Sequence, residues 1–222
     1  MTLFTRQIQH VVLVALLLVA LWFSLDEAAL SGRWLGLTTP IWLAIAILVP
    51  IAHQIYVWYL WRQQLLFGRV EQWLGDSGFT YYAIGFTILF AARLLFIITL
   101  ALANRNTLSL PPLLAYSLAV LLLLPALYLF YSVRTYFGFK RAYGIDHFDP
   151  SYRNKPFVRQ GIFRYTSNAM YVFGFLILWV PGLILFSKAA LLAAAFNHLY
   201  IWVHYYCTEL PDIQYIYGDA NT

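Results

Sequence analysis

Residues 81–103 read YYAIGFTILFAARLLFIITLALA, a run in which Arg93 is the sole charge. A bilayer core accepts about 20 apolar residues as a helix, so this stretch reads as a membrane span. Five other stretches read the same way: residues 8–25 (IQHVVLVALLLVALWFSL), 39–61, 109–133, 169–186 and 188–207. Composition agrees with that reading. Of 222 residues, 62% are hydrophobic and 10% charged, and the mean hydropathy is +0.71. A soluble domain carries about a quarter charged residues, so this chain has too few charges to cover a surface in water. The expected fold is an all-α polytopic bundle of six spans. No internal repeat or low-complexity linker divides it, and residues 1–222 read as one domain.

Local signals refine the spans. Pro50 and Pro125 fall inside the second and fourth, where a missing N–H breaks the hydrogen-bond ladder. Pro181-Gly182 interrupts the fifth shortly before Phe186-Ser187-Lys188, so the last two spans form a helical hairpin. Trp and Tyr crowd the span ends, as in YVWYLW (56–61), where amphipathic rings suit the headgroup zone. The first span follows Arg6 but precedes no small-residue cleavage site, and is expected to be retained.

Lys and Arg number 14 against 9 Asp and Glu, and their distribution sets orientation. The 134–168 segment holds Arg134, Lys140, Arg141, Arg153, Lys155, Arg159 and Arg164, and Arg6, Arg62 and Arg69 lie on the same side. Arg33, Arg105 and Lys188 lie opposite. By the positive-inside rule both termini and the long basic loop face the cytoplasm, of a bacterial inner membrane or the endoplasmic reticulum. No basic helix interleaved with stacking aromatics supports a nucleic-acid partner. One cysteine, Cys207, excludes an internal disulfide, and no Cys/His cluster has metal spacing.

Two regions carry candidate chemistry. The basic loop (RTYFGFKRAYGIDHFDPSYRNKPFVRQGIFRYTSN, 134–168) is long, aromatic-rich and leads into the polar mouth of the fifth span. At the other end of the hairpin, Asn197, Tyr200, His204 and Thr208 share one helical face, with His198, Tyr205 and Glu209 as an adjoining stripe. Polar side chains in a span face a bundle interior or a wet cavity; interhelical hydrogen bonding explains them equally well. Because a hairpin brings its ends together, Asn168, Tyr171 and Glu209 are expected to meet. Arg93 costs about 2.5–3.5 kcal/mol to insert at mid-span, and no acid in the neighbouring spans pairs with it. Snorkelling to a lipid phosphate, capping of broken-helix carbonyls and a place in the site are its alternatives. His53 reads as a structural residue.

GIFRYTSNAMY (161–171) resembles the G-[PI]-[FY]-R-[YF]-x-R-H-P-x-Y signature of integral membrane methyltransferases, the isoprenylcysteine carboxyl methyltransferase and phospholipid N-methyltransferase group. TELPDIQYIYG (208–218) is similar to that group's E-E/K-P-x-[LM]-x-x-x-Y-G element. Ser167, Ala169 and Leu210 depart from the pattern, standing for Arg, Pro and the second acid. The resemblance covers about 130–218, leaving 1–65 as two added spans. It implies an S-adenosylmethionine site in which Gly161, Phe163, Tyr165, Asn168 and Tyr171 occupy the first element and Glu209 the second. Glu209 and His147 are the candidate bases. Arg153, Lys155, Arg159, Arg93 and His204 are candidates for holding a membrane lipid acceptor, with phosphatidylethanolamine-like head-group amines favoured. Carboxyl methylation of a prenylated cysteine, reduction of an isoprenoid or sterol by NADPH, and a non-catalytic scaffold are the alternative readings.

Overall fold

The computed structural model describes residues 1–153 and 155–218. Helix α1 spans Gln7–Ser24 and is followed by the short α2, Glu27–Leu30, whose first turn is capped by Asp26 Oδ1 accepting from Ala29 N at 2.9 Å. Strands β1 (Arg33–Trp34) and β2 (Leu37–Thr38) pair antiparallel, closed through Leu35 and Gly36, both at positive φ. Then come α3 (Thr39–Phe67), α4 (Arg69–Leu74), α5 (Gly78–Ala103) and α6 (Pro112–Ser132). The basic loop holds α7 (Phe139–Ala142) and single 3₁₀ turns. The fifth segment opens as a π turn (Met170–Gly174), passes through a 3₁₀ stretch (Phe175–Trp179) and ends in α8 (Val180–Ile184). Helix α9 (Lys188–His204) continues through a π turn (Tyr205–Glu209) into α10 (Leu210–Tyr217).

The architecture is the expected all-α bundle. Four stretches among the described residues are long and apolar enough to cross a membrane: Gln7–Ser24, Thr39–Phe67, Arg69–Ala103 and Pro112–Phe137. The other two expected spans are shorter, 15 residues in Met170–Ile184 and 17 in α9. They form the expected hairpin. Ser187 N donates to Gly182 O at 2.8 Å, and a Cβ on Gly182 would meet Leu191 Cδ2 at 2.7 Å, so the arms touch at this glycine.

Helix α9 is central, packing against α1, α3, α5 and α8. Its Ala189, Ala190, Ala193 and Ala194 are fully buried; small side chains let neighbouring backbones approach closely, which membrane bundles need because lipid supplies no hydrophobic drive between helices. The outward faces are apolar. Ile8, Val11, Leu16, Trp22 and Phe23 of α1 and Leu113, Leu121 and Leu124 of α6 are all exposed. An apolar surface of this extent belongs in hydrocarbon.

Polar groups repair the backbone where the helices end or break. Pro50 has no N–H to offer Ala46 O, and Asn197 Nδ2 reaches that carbonyl at 3.5 Å while bonding Ala193 O at 2.9 Å. At the end of α5 the fully buried Asn104 donates to Ala28 O and Ser31 O at 2.8 and 2.9 Å. Its Oδ1 accepts from Ala189 N, Ser187 Oγ and Thr107 Oγ1. This ties the α2 turn, α5 and the hairpin tip together at the end remote from the basic loop.

Candidate functional site

At the basic-loop end the bundle opens into a cavity of about 910 Å³, its mouth included, walled by α3, α5, α6, α7, the fifth segment and α9. Most of the wall is aromatic or aliphatic. The polar lining is Glu209, His204, His53, Gln54, Arg93 and Trp61.

Tyr171 and Glu209 come together here, one from each arm of the hairpin. Each sits in a π turn, which widens the helix by a residue and changes the direction its side chains take. Tyr171 is buried and packs edge-on to Trp202 and tilted against Tyr205, ring centroids 5.8 and 5.5 Å away. Glu209 enters none of the ion pairs among the described residues. Burial raises its pKa to about 8, against the pull of the His147 charge and with repulsion from Asp146 and Asp212.

His204 and Arg93 also line this cavity. The stripe predicted on the last span is buried throughout: Asn197, Tyr200, His204 and Thr208 are each 2% exposed or less. His10 of α1 bonds Tyr200 Oη at 3.0 Å, and His204 Nδ1 has no partner among the described residues.

The other residues predicted for the site lie outside the cavity wall. Gly161, at φ +60°, closes on Ser132 and Tyr136; a Cβ there would meet Ser132 Oγ at 2.6 Å. Ser132 Oγ in turn accepts from Ile162 N at 3.1 Å. Phe163 stacks on Phe137 at 4.7 Å within a cluster containing Leu129 and Val133. These residues fasten the loop to the end of α6. Tyr165 is 63% exposed and bonds Arg164. Asn168 starts the π turn with its backbone, its carbonyl accepting from Tyr171 N and Val172 N at 3.0 and 3.1 Å. The expected convergence thus holds for Tyr171 and Glu209, while Asn168 stands outside the wall. Arg159 is exposed, and Arg153 Nε donates to Asp146 O at 3.1 Å.

His147 lies behind the wall. Its ring stacks on Trp61 at 4.1 Å, and Trp61 lines the cavity. His147 Nδ1 lies 3.2 Å from Asp146 Oδ1, and its Nε2 is 3.4 Å from Asp212 Oδ2, an ion-pair distance without hydrogen-bond geometry. Burial favours the neutral ring, but the two carboxylates reverse this and raise its pKa to about 9. Asp146, despite its own burial, is held below the usual carboxylate range by His147 and by Tyr217, whose Oη donates at 2.8 Å. Both carboxylates favour the protonated ring, and His147 meets the cavity wall through Trp61.

Sequence reading passed over Arg62 and Asp212. Arg62 was counted as a loop charge; it is fully buried and pairs through Nε with Asp212 Oδ1 at 2.9 Å. Nη1 donates to Leu3 O and Thr5 O at 2.8 Å, and Nη2 to Cys207 O and Thr208 O at 3.3 and 3.4 Å. One guanidinium thereby joins the N-terminal segment, α3 and the π turn that carries Glu209. The second span also supplies His53, Gln54 and Trp61 to the cavity, so it is part of the site rather than an appendage.

Residues 114–220 are similar to a family of membrane enzymes. Over that segment, just under half of the chain, it matches the family model of the phospholipid methyltransferases. The match runs from the first turn of α6 past α10 and includes both motifs, Tyr171 and Glu209. Neither a curated protein nor a solved structure matches the chain.

Proposed function

We propose that the protein transfers a methyl group from S-adenosylmethionine to the head-group amine of a membrane phospholipid, with Glu209 and Tyr171 at the cofactor end of the cavity. The observation that carries this is the meeting, in one cavity, of the two motif residues from a segment that matches the phospholipid methyltransferases. We also take the basic loop and both termini as cytoplasmic, on the Lys and Arg distribution.

The residues present suit such a cofactor. It is a cation with an adenine ring and a carboxylate, and when bound it supplies an activated methyl group on a sulfonium. Glu209, with no ion-pair partner among the described residues, offers a carboxylate to a positive charge. Tyr171 lines the same cavity, backed by Trp202 and Tyr205, and the negative face of such a ring favours cations.

Methyl transfer to an amine requires a free lone pair on nitrogen and in-line approach. The apolar walls exclude water and favour the neutral amine over ammonium. Glu209 lies in the same cavity and accepts the proton the amine gives up. The packed aromatic walls limit how the acceptor turns, and alignment of this kind is a large part of catalysis in displacement reactions. A membrane location follows from the acceptor, whose acyl chains stay in the bilayer.

The test is to incubate the purified protein with native lipids and S-adenosylmethionine labelled in its methyl group, and to identify the labelled lipid. Label in the amine head group supports the reading. Calorimetric titration showing no binding of S-adenosylmethionine would sink it.

A further inference from the structure

Arg93 stands where two openings in the bundle meet. One is the cavity described above. The other is an apolar groove of about 830 Å³, its open side included, between α5 and the Gly174–Leu178 stretch, with Phe130 of α6. Phe90, Arg93, Phe130, Gly174 and Phe175 belong to both walls. Leu95 and Ile98, on the groove, are 55% and 37% exposed on a helix whose outward face is apolar. The groove therefore opens sideways into hydrocarbon.

The guanidinium at this junction is incompletely satisfied. Arg93 is 2% exposed and enters no ion pair among the described residues. Nη2 donates to Pro50 O over a long 3.4 Å, the charge sits 5.5 Å from the centre of the Phe175 ring, and Nε has no acceptor among the described residues. His53, also 2% exposed and on the same cavity, has neither ring nitrogen bonded among the described residues. A guanidinium offers five donors and a permanent charge suited to bidentate binding of phosphate or carboxylate. Buried charges are normally paired, and among the described residues no carboxylate pairs with this one.

We infer that Arg93, with His53 beside the same space, receives the phosphate of a membrane phospholipid that enters sideways through the groove and leaves an acyl chain lying in it. Leu94, Ile98, Ile177 and Leu178 supply the walls for that chain. Arg93 lies 15 residues into α5 after Gly78, about 22 Å at the helical rise. A lipid bound there is drawn below the level of its neighbours, which turns its head group into the cavity toward Glu209 and away from bulk water. The role of that head group rests on the methyl-transfer reading, whereas the phosphate site does not.

The experiment compares binding of dioleoyl phosphatidic acid and dioleoylglycerol, which share tails and differ by the phosphate, to the full-length protein in detergent. Wild type is expected to prefer the phosphate lipid by about tenfold or more. Arg93→Gln should remove that preference and Arg93→Lys should keep part of it. Ile98→Trp, at the exposed mouth and tolerant of folding, should weaken both lipids together. Equal binding by wild type, a preference untouched in Arg93→Gln, unchanged binding by Ile98→Trp, or displacement of the lipid by inorganic phosphate would each overturn the inference. Titration with S-adenosylmethionine in the same preparations separates the two ideas. Phosphate preference without cofactor binding overturns the methyltransferase reading alone, and cofactor binding without phosphate preference overturns the lipid site alone.

Discussion

Arg62 and Asp212, 150 residues apart in sequence, form an ion pair 2.9 Å long with neither side chain exposed. The pair locks the end of α3 to the start of α10, immediately after the turn that carries Glu209. Desolvating two charges offsets much of their attraction, so the pair matters less for net stability than for what its loss leaves behind. Asp212→Asn or Arg62→Met should each lower unfolding stability in detergent by about 3–5 kcal/mol, because Arg62 is then left with backbone carbonyls alone and Asp212 with His147 alone. Arg62→Met should cost more, since it also strips the donors from the carbonyls of Leu3, Thr5, Cys207 and Thr208. The double variant should cost less than the two single costs added together. Strict additivity would mean that the two side chains act independently.

On the proposed reading, Glu209 should make S-adenosylmethionine binding depend on pH. With its carboxyl raised to about 8 by burial, a cationic ligand must bind with loss of a proton below that pH. Affinity for S-adenosylmethionine should therefore climb as pH rises from 6 to 8 and level off above, roughly a tenfold gain per unit at the steepest. Glu209→Gln should bind about tenfold or more weakly at pH 8, with the slope abolished. Calorimetry across buffers of different ionisation heat reads both the affinity and the proton released. A wild-type profile as flat as that of the variant would remove Glu209 from the site.

The stability profile should carry a separate signature from His147. Its folded pKa of about 9 lies above the ordinary 6.5 because Asp146 and Asp212 outweigh burial. A raised pKa means that the folded state holds the proton more tightly. The contribution is complete below pH 6.5 and is lost as pH rises through 9. Thermal midpoints measured between pH 7 and 10 should fall for wild type. In His147→Gln they should start lower and fall less. Equal slopes in the two proteins would show that the ring is not charged in the fold.

How much of this was legible in the sequence differs from one element to the next. The long spans declare themselves because 18 or more apolar residues have few other solutions, and the hairpin because Pro181-Gly182 stands just before a polar turn. The polar stripe from Asn197 to Thr208 was legible since regular helical spacing governs most of it. The meeting of Tyr171 with Glu209 followed from the hairpin alone. Asn168 and Tyr165 were harder, because the segment from Gly161 to Trp179 runs through 3₁₀ and π turns, where helical spacing no longer tells which way a side chain points. Arg62 was hardest. Four of its five hydrogen bonds go to backbone carbonyls, which every residue possesses and no motif marks. In a basic loop end such an arginine reads as a topology signal.

Gly144 offers a way to disturb the cavity from behind without touching a residue in its wall. It stands at φ +76°, and a Cβ added there would lie 2.4 Å from Trp61 Cζ2 and 2.8 Å from Trp61 Nε1. Trp61 is trapped between this glycine, the His147 ring and the cavity, so its easiest movement is into the space a ligand would take. Gly144→Ala should cost about 1–3 kcal/mol of stability through backbone strain and overpacking. It should also weaken S-adenosylmethionine binding by more than Gly138→Ala, a change at another positive-φ glycine of the same loop whose Cβ would meet nothing within 4 Å. Gly138 shares the strain but not the collision, so the difference between the two variants isolates the displacement of Trp61. If both weaken binding equally while losing similar stability, loop strain alone accounts for the effect, and the indole has no part in shaping the cavity.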